Sequence, residues 1–158
     1  VEVEVLRPGL RARARKGFVD MSQQAEIQMT VEGLLLFGNP PNSLPLELRF
    51  GKAERQRRGI LKVPLEVGFT LDEIQLIPFA GRQVAEVLIV ITVMDDRGNR
   101  SETPVHEVRI LGWEIPEPGQ RYWWRTTLLM RKRKHRVMVA VYDPISTSTL
   151  SSSAEISP

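Results

Sequence analysis

Gln83-Val84-Ala85-Glu86-Val87-Leu88-Ile89-Val90-Ile91-Thr92-Val93-Met94, followed by Asp95-Asp96-Arg97-Gly98-Asn99, is the stretch that decides the fold. From Val87 to Val93 it is rich in β-branched residues and apolar on both faces, so it reads as a central strand buried on both sides. The polar Asp96-Arg97-Gly98-Asn99 that ends it is turn chemistry. Thr92 interrupts the run, which falls far short of the roughly 18–20 apolar residues that cross a bilayer.

Working outward, the pattern stays β. Strands are expected near 44–50, 60–69, 73–78, 83–94, 103–111, 121–130, 135–142 and 148–156. Turn signals separate them at Gly51 to Gly59, Pro78 to Gly81, Asp96 to Asn99, Pro116 to Gly119 and Asp143-Pro144. Arg136, Met138, Ala140 and Tyr142 alternate with Val137, Val139 and Val141, as a half-buried strand should. This punctuation predicts a mainly β chain, an antiparallel sandwich of the immunoglobulin or fibronectin type with about 7–8 strands. The serine-rich stretch Ser146 to Ser153 reads as a weak edge strand or a loose tail.

One helix precedes the sandwich. Ser22 is its expected N-cap, and Ile27, Val31, Leu34 and Leu35 recur at helical spacing. Gly38 and Asn39-Pro40-Pro41-Asn42 stop it. Upstream, Val1, Val3 and Val5 alternate with Glu2 and Glu4, and Leu10, Ala12 and Ala14 alternate with Arg11, Arg13 and Arg15, around Pro8-Gly9. That is a hairpin pattern whose register sets Glu4 opposite Arg13 and Glu2 opposite Arg15. The expected organisation is a terminal hairpin over 1–20, a linker helix and turn over 21–42, and the sandwich over 43–158. A start inside a strand pattern reads as a piece of a longer protein.

Composition narrows the chemistry. With 158 residues, 42% hydrophobic and 26% charged, the chain can bury a core. It has no cysteine, which removes disulfides, thiolate metal sites and cysteine nucleophiles together. The net charge of +3 is modest.

Two sets of residues carry a resemblance. Arg7-Pro8-Gly9-Leu10-Arg11-Ala12-Arg13-Ala14-Arg15-Lys16-Gly17-Phe18 resembles the phrase that closes the VWA-like domain in the acidobacterial-type VWFA-related family. Leu65-Glu66-Val67, Leu71 to Pro78, Asp95 to Asn99, Leu128 to Arg131 and His135 to Asp143 resemble that family's downstream region. The resemblance implies the C-terminal part of an exported protein, outside the cytoplasm, whose von Willebrand type A domain lies mostly upstream. The metal-adhesion motif Asp-x-Ser-x-Ser is absent; Asp143-Pro144-Ile145-Ser146 comes nearest, with its serine one residue late. No functional residue is carried over from the family.

Candidate sites divide by chemistry. A hydrolase would have only His106 and His135 as imidazoles, and no serine sits in a G-x-S-x-G setting. Asp95, Asp96 and Asn99 offer oxygen ligands, but their spacing is not that of an EF-hand and suits a plain turn. Asp72-Glu73 reads as a solvated bend. Basic residues cluster at Arg11 to Lys16, Lys52 to Arg58 and Arg131 to Arg136. The last holds Arg131, Lys132, Arg133, Lys134 and Arg136 around His135 at a hairpin tip, where an acidic polymer would bind. The 19 Asp and Glu spread along the chain argue against nucleic acid.

In Tyr122-Trp123-Trp124, alternation puts Tyr122 and Trp124 on one face with Leu128 and Met130, and Trp123 on the other with Arg121 and Arg125. Trp124 then belongs to the core. Trp123 is either a surface residue stacked under arginine or an anchor for a sugar or protein partner.

The expectation is a non-catalytic interaction or structural module that contacts a protein partner, with no cofactor, metal or membrane span. Its candidate surface is Trp123, Arg121, Arg125, Arg131, Lys132, Arg133 and Lys134. The alternative is a carbohydrate- or acidic-polymer-binding sandwich using Trp123 and the basic hairpin 131–136. A homodimer through the N-terminal hairpin stays open.

Overall fold

The computed structural model describes residues 21–37, 46–56, 59–112 and 114–158, without the side chains of Leu35 and Phe37. The hairpin expected over 1–16 and the turn at 39–42 lie outside the described residues. The rest is a β-sandwich of two antiparallel sheets with one helix on its outside.

The first sheet is built on β3 (Ile60–Thr70). On one edge it pairs with β7 (Arg121–Arg131) through all eleven residues, from Ile60 opposite Arg131 to Thr70 opposite Arg121. Its other edge is shared by β1 (Glu47–Phe50) and the two-residue β2 (Glu54–Arg55). Pro64 explains the break between them. It sits in the middle of β3 and has no N–H to give, so at this residue the edge carries only the bond from Gly51 N–H to Pro64 O, at 2.9 Å. A Cβ on Gly51 would stand 3.0 Å from the proline ring. Glycine passes there, and the strand divides.

The second sheet is built on β5 (Arg82–Asp95), the stretch singled out by its sequence. Gln83 to Val90 pair with β6 (Val105–Gly112) on one edge. On the other, Leu88 to Asp95 pair with β8 (His135–Tyr142), and the short β4 (Ile77–Phe79) pairs with Arg82 to Val84. The serine-rich segment forms β9 (Thr149–Ile156), an edge strand paired to β8 over eight residues.

Strand alternation sorts the core. Ala85, Val87, Ile89 and Ile91 meet Val137, Val139 and Val141 on the inner face of the second sheet. They pack against Leu61, Val63, Leu65, Val67 and Phe69 of the first. Val90, Met138 and Ala140 face outward yet are buried, because the helix α1 (Gln23–Phe37) covers them with Ile27, Val31 and Leu34. This is why Val87 to Val93 is apolar on both faces. Burying each of the larger ones among these side chains contributes about 1.5–3 kcal/mol. Ser22 caps the helix as expected, its Oγ accepting from Ala25 N–H at 3.3 Å. Gln28 Nε2 fastens the helix by donating to Thr103 O at 2.7 Å.

Two expectations need correction. The strand placed at 73–78 begins only at Ile77, because Leu71–Glu73 forms a 3-10 turn that buries both Leu71 and Ile74. The turn after it is the two-residue loop Ala80-Gly81, both residues at positive φ (49° and 75°), the primed geometry that suits a tight hairpin.

Candidate functional site

The outer face of the first sheet carries Trp123 with Arg121 and Arg125, as alternation predicts, while Trp124 packs against the core. Trp123 is half-buried, its ring laid over Gly68 directly opposite on β3. Arg49, from β1, covers the ring's other face with its guanidinium carbon 3.9 Å from the ring centroid. Glu47 holds Arg49 at 2.7 Å and also bonds Arg121. Arg125 Nε meets Glu66 at 2.7 Å. The arginine that stacks on Trp123 is therefore a cross-sheet residue and neither of its strand neighbours. Sequence reasoning missed it because Arg49 and Trp123 meet only through the β1–β3–β7 register.

The basic hairpin tip is about eight residues along β7 from Trp123, or roughly 25 Å at strand spacing. Much of its charge is answered locally. Arg133 donates to Asp95 at 3.0 Å, and Lys134 and Arg136 reach Glu155 at 2.6 and 3.5 Å. Arg131 and Lys132 are exposed and make no ion pair among the described residues.

Asp95 organises the turn after β5. Its Oδ1 accepts from the N–H of Arg97 and of Asn99 at 3.0 and 2.9 Å. The side-chain amide of Asn99 is the largest cause holding this carboxyl down to about 2, with those N–H groups and Arg133 adding against partial burial. Asp95 and Asn99, two of the three residues weighed as a cation site, are thus committed to closing a turn, with Gly98 in the left-handed region at φ 79°.

Asp143 is a buried carboxylate that the sequence did not single out as structural. Burial pushes its pKa up, but N–H groups of Gln75 and Ile145 and the Ser146 hydroxyl outweigh that and hold it below the ordinary range. Gln75 N–H reaches it at 2.6 Å and Ser146 Oγ at 2.8 Å. It ties the β8–β9 turn to the segment after the 3-10 turn.

Between the edges of the two sheets, on the β6–β7 side, lies an open cleft of about 810 Å³ lined by Ile91, Val93, Leu128 and Met130. His106 and His135 also border it. His106 stacks on Trp124 with ring centroids 5.0 Å apart, and His135 Nδ1 lies 2.8 Å from Arg133 O.

One cluster becomes visible only through register. Ile77, Val84 and Leu111 stand in line across β4, β5 and β6 on the outward face, beyond the helix, with Phe79 beside Ile77. Ile77, Phe79 and Leu111 are 43%, 67% and 54% exposed. Glu86 and Arg109, paired at 3.2 Å, border the row on the helix side.

No protein-family model matches the chain, and no curated protein matches it. Among solved structures, a β-glucuronidase from Bacteroides uniformis overlaps 71% of this chain at 10% identity and a TM-score of 0.47. The chain spans 13% of that enzyme's length. A second structure, Northeast Structural Genomics Consortium target SoR45, overlaps 75% of this chain and 87% of its own at 14% identity and a TM-score of 0.40. Likenesses this distant carry no argument about function.

Proposed function

We propose that this chain is a non-catalytic protein-contact module whose contact surface is the part of the second sheet's outer face, beyond the helix, that no described residue covers. The observation that carries the reading is the row Ile77–Val84–Leu111 with Phe79 alongside. Single exposed apolar residues are ordinary, but three exposed ones set around the half-buried Val84 across three strands mark a surface that another protein covers. Phe79 is the natural anchor, and the Glu86–Arg109 pair supplies a polar rim. A sugar platform would need an open aromatic face, whereas Gly68 and Arg49 already occupy both faces of Trp123. The resemblance of Arg7 to Phe18 and of the sandwich phrases supports placing the module at the C-terminal side of a type A domain in an exported protein.

The test is partner recovery from an extract of the source organism by the wild type, by Phe79→Ser with Leu111→Ser, and by Trp123→Ala. The expected result is one discrete protein retained by wild type and Trp123→Ala and lost from the double variant, with melting unchanged. Retention by the double variant, or binding only to polysaccharide, contradicts the reading.

A further inference from the structure

We propose that the free edge of β7 receives an extended strand from a partner protein, one whose side chains alternate between apolar and acidic. The proposal rests on the reading of the chain as an interaction module, but it uses a different face from the apolar row.

The phase of the ladder shows which groups are free. Leu71 N–H donates to Gln120 O at 2.9 Å, continuing the β3–β7 ladder, so Gln120 and every second residue after it turn their main chain towards β3. Trp123, Arg125, Thr127 and Leu129 therefore direct N–H and C=O the other way. Among the described residues β7 pairs with β3 alone, so these groups face an unpaired edge along a strand of eleven residues. Such an edge is a template for another strand.

The surroundings define what fits. A strand added here would send alternate side chains inward, into the cleft of about 810 Å³, whose apolar floor of Ile91, Val93, Leu128 and Met130 is rimmed by Arg100, Ser101 and Glu102. Those positions call for apolar, β-branched residues. Its other side chains would line up beside the outward row of β7, where Arg125, 76% exposed at its side chain, meets Glu66 through Nε alone and leaves its terminal nitrogens open, Arg131 is exposed and Lys132 follows. Acidic residues complement that row. A second copy of β7 does not: in full antiparallel overlap it would set Arg121 opposite Arg131 at both ends. The occupant is thus a foreign strand with its own acidic face.

The test uses the full chain and fluorescence anisotropy with three labelled synthetic peptides. One alternates valine and glutamate, one has the same composition with the alternation broken, and one alternates valine and lysine. The alternating Val/Glu peptide is expected to bind at least about ten-fold tighter than either control, because only it meets both cleft and arginines. Thr127→Pro removes an outward N–H while leaving the β3 ladder whole, and is expected to weaken that peptide about ten-fold or more with melting and circular dichroism unchanged. Equal binding of all three peptides, no binding, or full affinity in Thr127→Pro overturns the proposal. So does a dimer in sedimentation that Thr127→Pro dissolves, which makes a second copy the occupant. Binding seen only after removal of residues 1–20 assigns the edge to the chain's own N-terminal segment and also overturns it. Phe79→Ser with Leu111→Ser is expected to bind the peptide normally, so failure here leaves the apolar-row reading standing or falling by itself.

Discussion

Trp123 lies flat across Gly68: a Cβ at position 68 would stand 2.6 Å from the indole ring. With Arg49 stacked 3.9 Å above, the ring has little room to lift. Gly68→Ala is therefore expected to destabilise by about 1–3 kcal/mol, an overpacking cost. Trp123→Ala opens that space, so the double variant should lose less than the sum of the single losses, measured by a double-mutant cycle in urea. Strict additivity would mean that the contact is not made.

The two neighbouring tryptophans should differ in cost. Trp124 packs against the core and His106, and Trp124→Ala is expected to destabilise by about 3 kcal/mol. Trp123→Ala, which removes a surface stack, should cost about 1 kcal/mol. Denaturant melts in the opposite order would overturn the assignment of faces on β7.

How far these residues could be read in advance depended on how local their determinants are. Period-two alternation put Trp123 and Trp124 on opposite faces correctly, and Val87 to Val93 announced burial on both sides. Alternation says nothing of the cover, which proved to be Ile27, Val31 and Leu34. Leu71 to Ile74 misled because two apolar residues three apart fit a strand end or a single 3-10 turn. Arg133, Lys134 and Arg136 read as an open basic tip, because their partners Asp95 and Glu155 arrive only through β5 and β9. The row Ile77–Val84–Leu111 was invisible for the same reason: it exists only once three strands are in register.

Asp143 should matter for stability although it belongs to no proposed contact. Asp143→Ala strips the buried acceptor from the N–H groups of Gln75 and Ile145 and from the Ser146 hydroxyl. A loss of about 2–3 kcal/mol is expected, seen as a lower urea midpoint with an unchanged slope. A loss below about 0.5 kcal/mol, as at an ordinary surface site, would contradict its tying role.

The acid side of the stability profile follows from three carboxyls. Asp95 is held to about 2 against an ordinary 3.8, chiefly by the Asn99 amide. Glu155 is held below its ordinary 4.5, first by its hydrogen bond from Lys134 and then by that charge. Asp143 is lowered by hydrogen bonds that overcome its burial. Because each is depressed in the folded state, the stability they contribute is complete above the ordinary values and is lost as pH falls through the folded ones. Melting midpoints should hold between about pH 7 and 5 and fall between about pH 4 and 2. Asp95→Asn should melt lower at neutral pH and show a shallower acid decline. A midpoint that stays level down to about pH 2 would contradict these shifts.

The most direct measurement places a photo-reactive benzoylphenylalanine at position 79, and separately at position 123, in the protein as it is made by its own cells. Light should cross-link position 79 to one discrete protein, and adding Leu111→Ser should abolish that band. Position 123, on the opposite sheet beside the free edge of β7, should not give that band; an adduct there with a different protein belongs to the strand partner of β7. A cross-link at 123 with none at 79, or no protein adduct at 79 at all, would contradict a contact surface centred on Phe79.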